Sequence, residues 1–362
     1  MGRKLERSTN WAWTVRGVTH SIFGMSVPHR VAVVVLLALI GGSSIAAVRR
    51  ASFGPGERVL LDAHNAYPEA GRWSDRIDRA LSTGTPLAIE QDLYWHRDSV
   101  TGAFDIVVAH DAGATQGAPT LESYFFEKIR PIMERALREN RKSQWPLIVL
   151  NLDFKTNERA HHDAVWALLG KYESWLTTAP RTATPDIAAP LTVGPLLVLA
   201  GSDSGQRTRF HDLVPIGDRL RAFGGIPVPA STGTTREERA IAQVRSEPST
   251  LISRRAGNYA RWVNFPWGVV ELGGQPNAGN WSSADSLRLH ALVRRAREQE
   301  LWIRFYTLDG YAPDADRGYT PAYNFGSDSA AAIRWRAAIA ARVDFVATDQ
   351  YERFVQVRSG AR

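Results

Sequence analysis

Short apolar runs that each close on a polar or titratable side chain recur along this chain, with stretches of helical spacing between them. The run VLLDA (59–63) ends on His64-Asn65, PLAIEQDL (86–93) carries Glu90 and Asp92, FDIVVA (104–109) ends on His110-Asp111, and LIVLNLDFK (147–155) closes with Asp153 and Lys155. Strands alternating with helices point to a parallel sheet, because parallel neighbours need a long crossover connection. A closed barrel is favoured over an open doubly wound sheet, since the polar positions fall at the C-terminal ends of successive strands, where barrel sites lie. No G-x-G-x-x-G motif follows a strand to argue for a dinucleotide fold. The expected fold is α/β, a (β/α)8 TIM-type barrel.

Further strands are expected at 195–200, 301–308 and 343–348, with shorter candidates at 226–229 and 261–265. Helical faces run through Leu121, Phe125, Ile129 and Met133, then Val165, Leu168 and Leu169, then Leu289, Leu292 and Val293, and finally around Trp335. Pro131 is expected to kink the first helix or to start another. Between residues 201 and 280 glycine, proline, serine and arginine loosen the rhythm, so the second half should be irregular. With 362 residues, 44% of them hydrophobic, one large core suffices.

The first fifty residues differ from the rest. Residues 31–48 carry no charge, and the run VAVVVLLALI is as apolar as a membrane span. Arg3, Lys4, Arg7, Arg16 and Arg30 precede it against Glu6 and outnumber Arg49 and Arg50 behind it, which favours a cytoplasmic N-terminus. Ser44-Ile45-Ala46 resembles a cleavage site, so an outward-facing anchored protein and a secreted one are both open. The expected organisation is a basic leader with a hydrophobic signal or anchor (1–50), a linker (51–58), the barrel (59–350) and a C-terminal tail (351–362).

The absence of cysteine removes thiolate metal sites and thiol nucleophiles. The net charge of +7 favours anionic partners. Its arginines are scattered and no recognition motif is visible, so nucleic acid is not expected. Residues two apart on a strand face the same side, so Glu90 and Asp92 can point together into a barrel mouth, and Asp153 can complete an all-oxygen site suited to Mg²⁺ or Ca²⁺. His64 and His110, on two separate strand ends beside such a cation, suit proton removal and delivery. His96, in a turn, ranks as a distant third candidate. Asp309 and Asp349 close the last strands as supporting or substrate-contacting groups. Trp262, Trp302, Phe305 and Tyr306 are expected in the core before any binding role, and His161-His162 at the surface of a helix start.

The order His64-Asn65, Glu90-x-Asp92, His110-Asp111 and Leu152-Asp153-Phe154-Lys155-Thr156 resembles the phospholipase C-like phosphodiesterase superfamily, which includes glycerophosphodiester phosphodiesterases and sphingomyelinase D. Pro119-Thr120-Leu121-Glu122 looks like its PTLEE segment, and the runs around Arg304 and Asp344 look like its last two strands. The resemblance implies His64 and His110 as the acid/base pair, Glu90, Asp92 and Asp153 as metal ligands, and Lys155 as a phosphate contact. Asn65 stands where glycerophosphodiesterases usually place a phosphate-gripping arginine, and joins Lys155 as an expected substrate contact. Asp153-Phe154-Lys155 is closer to the sphingomyelinase D pattern, without that group's cysteines. Phosphatidylinositol phospholipase C proper is set aside because its bacterial members work without a carboxylate-bound metal. The implied substrate is a glycerophosphodiester or a phospholipid headgroup; the alternative is a noncatalytic barrel that binds such a group.

Overall fold

The computed structural model describes residues 53–69, 71–272, 279–314 and 324–360. The hydrophobic stretch at 31–48, with the leader around it, lies outside the described residues. Among the described residues no helix is long and apolar enough to cross a membrane.

Nine principal strands form one sheet: β1 (Leu60–Ala63), β2 (Leu87–Arg97), β3 (Phe104–Val108), β4 (Ile148–Phe154), β5 (Leu196–Ala200), β6 (Phe223–Gly225), β7 (Ala260–Pro266), β8 (Trp302–Tyr306) and β9 (Phe345–Thr348). Eight of them run parallel in the order β1-β9-β8-β7-β6-β5-β4-β2, and the pairing of β1 with β2 closes the ring. The fold is the (β/α)8 barrel that the sequence implies. Helices at Arg76–Ser82, Glu127–Glu139, Arg159–Lys171, Ser283–Glu298, Asp328–Ala341 and Tyr351–Gly360 follow strands of the ring. The helix at Ser283–Glu298 shows why the chain folds this way locally. Ser282 and Asp285 cap it reciprocally, Arg295 and Arg297 complement its negative end, and Leu289, Leu292, Val293 and Ala296 form its buried face.

The barrel interior is layered. Leu60, Ala88, Val149, Leu197, Phe223, Trp262, Trp302 and Phe345, one from each ring strand, share an apolar cluster separate from the larger one under the helices. Because side chains alternate along a strand, residues two further on form the next layer, here Asp62, Glu90, Asn151, Asn264 and Arg304. Two beyond that lie His64, Asp92, Asp153, Tyr306 and Asp349, at the C-terminal mouth.

Several expectations need correction. The run at 104–109 is no wall of the barrel: β3 folds back antiparallel on the long end of β2, with Leu93 opposite Val108 and Arg97 opposite Phe104. Only a short turn separates them, closed by Val100 and Thr101 N–H groups on Asp98 Oδ1 at 3.0 and 2.7 Å. That turn is too short for a crossover helix. The candidate at 226–229 gives way to β6. Its Gly224-Gly225 pair reads as a breaker, yet a Cβ at Gly224 would collide with the Tyr259 ring, so packing selects the glycine there.

The described part of the expected linker, residues 53–58, is fastened. Phe53 stacks at 5.2 Å on Trp302 at the floor of the barrel, and Gly56 N–H donates to Asp344 Oδ1 at 2.6 Å. The expected tail is a helix, Tyr351–Gly360, that buries Tyr351 and Phe354. His161 and His162 are buried, not on the surface. His161 Nδ1 lies 2.9 Å from the Thr156 carbonyl, its ring stacks against Trp95, and burial holds its pKa down to about 4. Pro131 neither breaks nor restarts its helix but sits inside Glu127–Glu139, behind a π-helical turn at Glu122–Phe126.

Candidate active site

The ring registers bring together residues from three of the four runs that the sequence singles out, those ending at His64, Asp92 and Asp153. Asp92 pairs directly with Asp153 across β2 and β4, which puts their carboxylates on adjacent strands of one face. Glu90, two residues before Asp92, joins them, and one oxygen from each of the three lies within 4.8 Å of the others. Glu90 and Asp92 are buried, whereas the Asp153 side chain is 49% exposed and opens the cluster to the mouth.

Each carboxylate is held differently. Arg304, on β8, reaches across the interior: its Nε contacts Asp62, Nη2 donates to Glu90 Oε1 at 2.9 Å and Nη1 to Asn264 Oδ1 at 3.1 Å. Burial would raise the Glu90 pKa, yet the Arg304 and His64 charges outweigh it and hold the group down to about 2. Asp92 is in the opposite position. Burial, then the charges of Glu90 and Asp153, push it up to about 8, against the opposing pull of Lys155 and Tyr67. Lys155 Nζ lies 2.9 Å from Asp92 Oδ2 and 2.7 Å from Asp153 Oδ2, and Tyr67 Oη donates to Asp92 Oδ2 at 2.7 Å. Neither bond to Asp92 uses Oδ1.

Close carboxylates disfavour each other's ionisation, so three this near one another suit a bound positive charge. All-oxygen donors with one open side fit a hard divalent cation that keeps coordination positions for water or substrate. The donor set therefore fits the implied metal, with Glu90, Asp92 and Asp153 as its holders.

His64 sits next to this cluster at the end of β1. Its Nδ1 is 2.7 Å from Asp349 Oδ1, and its Nε2 is 3.4 Å from Glu90 Oε2. Burial opposes the imidazolium, but the Glu90 charge and the bond to Asp349 outweigh it and push the pKa up to about 9. Tyr306 stacks on the imidazole at 6.4 Å between centroids. Asp349 is itself anchored: its N–H donates to Asp309 Oδ1 at 2.7 Å, and Arg76 Nη2 lies 3.5 Å from its Oδ2. Burial and the Asp349 charge push Asp309 up to about 7.

The remaining candidates separate. Asn65 adopts a left-handed backbone conformation with φ of 50° and turns its amide inward. There Nδ2 donates to both Asp349 oxygens at 3.3 Å, Oδ1 lies 2.7 Å from Tyr67 Oη, and the backbone N–H lies 3.3 Å from Glu90 Oε2. Its engagements are thus with the machinery itself. His110 is on the rim, with its side chain 42% exposed; Nδ1 is 3.1 Å from Asp111 and 4.0 Å from Glu69. The preceding residue, Ala109, donates its N–H to the Asp92 carbonyl at 3.1 Å, which fixes where the rim histidine starts. His96 lies within β2 on the hairpin, not in a turn; it is directed to Gln116, 3.2 Å away in the turn after β3, and stays outside the cluster. Trp262, Trp302 and Phe305 are core, as expected; Tyr306 is half-buried beside His64.

Sequence reasoning missed Asp62, Tyr67, Arg76, Asn264 and Arg304. A signal existed for two of them: Asp62 stands two residues before His64, and Arg304 interrupts the apolar run LWIRFYTL, so each had to face either the core or the barrel interior. A cavity of about 390 Å³ extends from Glu90 and Asp153 across the mouth, past the amides of Asn151, Asn157, Gln206 and Asn264.

No family model and no curated protein matches this chain. Among solved structures, a glycerophosphoryl diester phosphodiesterase from Parabacteroides distasonis is 14% identical, with 83% of this chain and 86% of that one covered and a TM-score of 0.37. A calcium-dependent phosphoinositol-specific phospholipase C from a Pseudomonas species is 13% identical, covering 81% and 89%, with a TM-score of 0.43. A dihydropteroate synthase from Burkholderia cenocepacia is also 13% identical, covering 84% and 90%, with a TM-score of 0.36. Likenesses this distant, spread over unrelated chemistries, do not choose a function.

Proposed function

We propose that this protein is a divalent-cation-dependent phosphodiesterase that cleaves a glycerophosphodiester or a phospholipid headgroup by two-histidine acid/base catalysis. The observation that carries this reading is the convergence of Glu90, Asp92 and Asp153 within 4.8 Å, next to a buried imidazole only 3.4 Å from one of them. The cation, Mg²⁺ or Ca²⁺, would supply positive charge against a nonbridging phosphate oxygen. Asp349 accepts from His64 Nδ1, fixing the ring so that Nε2 faces the reacting phosphate and exchanges the proton there. Arg304 and Tyr67 hold Glu90 and Asp92 in place, Lys155 adds charge beside the phosphate, and His110 serves the other proton from the rim.

Lys155 between two carboxylates also suits a noncatalytic barrel that binds a phosphoester. A substrate panel of phosphodiesters and lysolipids with Mg²⁺, Ca²⁺ or EDTA separates the two. Turnover that EDTA abolishes is expected; binding with no turnover under any condition would establish the rival. Asp153→Asn keeps volume and removes a charged ligand, so calorimetry should show weakened cation binding alongside lost activity, with the circular dichroism spectrum unchanged. Unaltered cation affinity would remove Asp153 from the site. For location, residues 1–50 are proposed to bring the domain to the membrane facing outward, or to export it. Full-length protein found wholly in the cytosol would contradict that.

A further inference from the structure

The cavity of about 390 Å³ beside Glu90 and Asp153 has a floor that takes no part in holding the cation or moving the proton. Asn151, on β4, and Asn264, on β7, supply it, one layer below the mouth. Asn151 is the register partner of Glu90 across β2 and β4, so its amide stands beside the deepest of the three carboxylates.

This floor is open. Asn151 is 4% exposed, yet neither its side-chain oxygen nor its nitrogen bonds to a described residue, and neither is sealed from the cavity. A polar side chain placed so deep is normally bonded, and one left open on a cavity floor points to a ligand. Asn264 is half committed: its Oδ1 accepts from Arg304 Nη1 at 3.1 Å, which leaves Nδ2 as a free donor. At the wall, Asp203 Oδ1 accepts from Gly205 and Gln206 N–H at 2.8 and 3.1 Å, and neither bond uses Oδ2. A Cβ at Gly225 would meet nothing nearer than Trp262 Nε1 at 3.5 Å, an ordinary contact, so packing does not demand that glycine, and its missing side chain leaves room in the cavity.

Charge narrows the ligand. Among the described residues that line this cavity none is arginine or lysine, so a second phosphate or a carboxylate finds no counter-charge there. A quaternary ammonium is best held by open aromatic faces, and the rings at the wall, Trp262 and Phe154, are buried. A hydroxyl both donates and accepts, as an amide does. We propose that the amides of Asn151 and Asn264 form a subsite for the hydroxyls of an uncharged polyol esterified to the phosphate, with Asn151 setting this preference. The assignment rests on the phosphodiesterase reading for where the phosphate sits. Glycerol and inositol share this chemistry, and the experiment tells them apart.

The test is calorimetric titration of the full-length protein at saturating Ca²⁺, and again at saturating Mg²⁺, with glycerol 3-phosphate, myo-inositol 1-phosphate, phosphocholine and methyl phosphate. At least one polyol ester should bind about tenfold or more tighter than phosphocholine and methyl phosphate. Asn151→Leu, close in volume but without the amide, should erase most of that margin. Asn151→Ala carries the test if the leucine variant fails to fold. The tighter polyol ester identifies the headgroup, and equal binding identifies a site that reads hydroxyls on either frame. Phosphocholine or methyl phosphate binding as tightly as both polyol esters would overturn the proposal. So would a margin that survives both Asn151 variants, or no saturable binding of either polyol ester. Turnover of bis(p-nitrophenyl) phosphate, which carries no hydroxyl, is followed on the same samples. Its absence beside an intact polyol margin would refute the phosphodiesterase reading and leave the subsite standing, whereas turnover without a polyol margin would refute the subsite alone.

Discussion

His64→Ala should lower turnover about 10² to 10⁴-fold while the protein still binds its cation, because the three carboxylates hold the ion and the imidazole manages a proton. His110→Ala should do the same from the rim. The two separate on a substrate with a good leaving group. On bis(p-nitrophenyl) phosphate the leaving phenolate needs little protonation, so the variant lacking the general acid should be partly rescued and the variant lacking the base should not. Equal residual rates for both variants on both substrates would contradict a two-histidine scheme. Loss of cation binding in either would make that histidine a ligand, and full activity in either would move the chemistry elsewhere.

Arg304→Met should be the most destabilising single change at the site. Arg304 bridges Asp62 and Glu90 inside the barrel with all three groups buried, and removing it leaves Asp62 without its partner and Glu90 with His64 as its remaining ion-pair partner. Breaking a buried pair from one side typically costs about 3–5 kcal/mol. The pH dependence follows from Glu90. Its pKa is held below the unfolded value, so it contributes stability above about pH 4.5 that is lost as the pH falls toward 2. The variant should lack that contribution. Urea denaturation should show a smaller deficit with saturating Mg²⁺ or Ca²⁺ than with EDTA, since an ion that binds only the folded state offsets Glu90's freed charge. A deficit below about 1 kcal/mol in EDTA would mean that the bridge does not carry this charge.

The barrel was legible where one rule sufficed. Apolar runs ending on His64, Asp92 and Asp153 described ring strands because such strands are apolar on the outside and polar only near the mouth. The carboxylate set was legible for a related reason: period two on β2 and direct pairing with β4 leave Glu90, Asp92 and Asp153 no other face. β3 was misread as a ring strand because an apolar run looks the same in a hairpin and in a barrel wall; the distance between the runs, ten residues from 94 to 103 and too few for a crossover helix, held the answer. β6 was misplaced because Gly224 and Gly225 carry no side-chain signal, and what selects Gly224, the Tyr259 ring, lies 35 residues away. Arg304 and Asp62 escaped notice since each reads alone as an oddity and only the closed ring makes them a pair.

The antiparallel hairpin has a mechanical meaning. His64 stands on a strand gripped on both sides by the ring, between β9 and β2. His110 follows a strand bonded to β2 on one side and, on the other, to the chain around Thr120 by a single bridge. An edge element of this kind opens at lower free energy than the closed ring. The two histidines of the proposed scheme therefore stand on foundations of unequal stiffness, and in that scheme the rim can cease to work while the barrel remains intact.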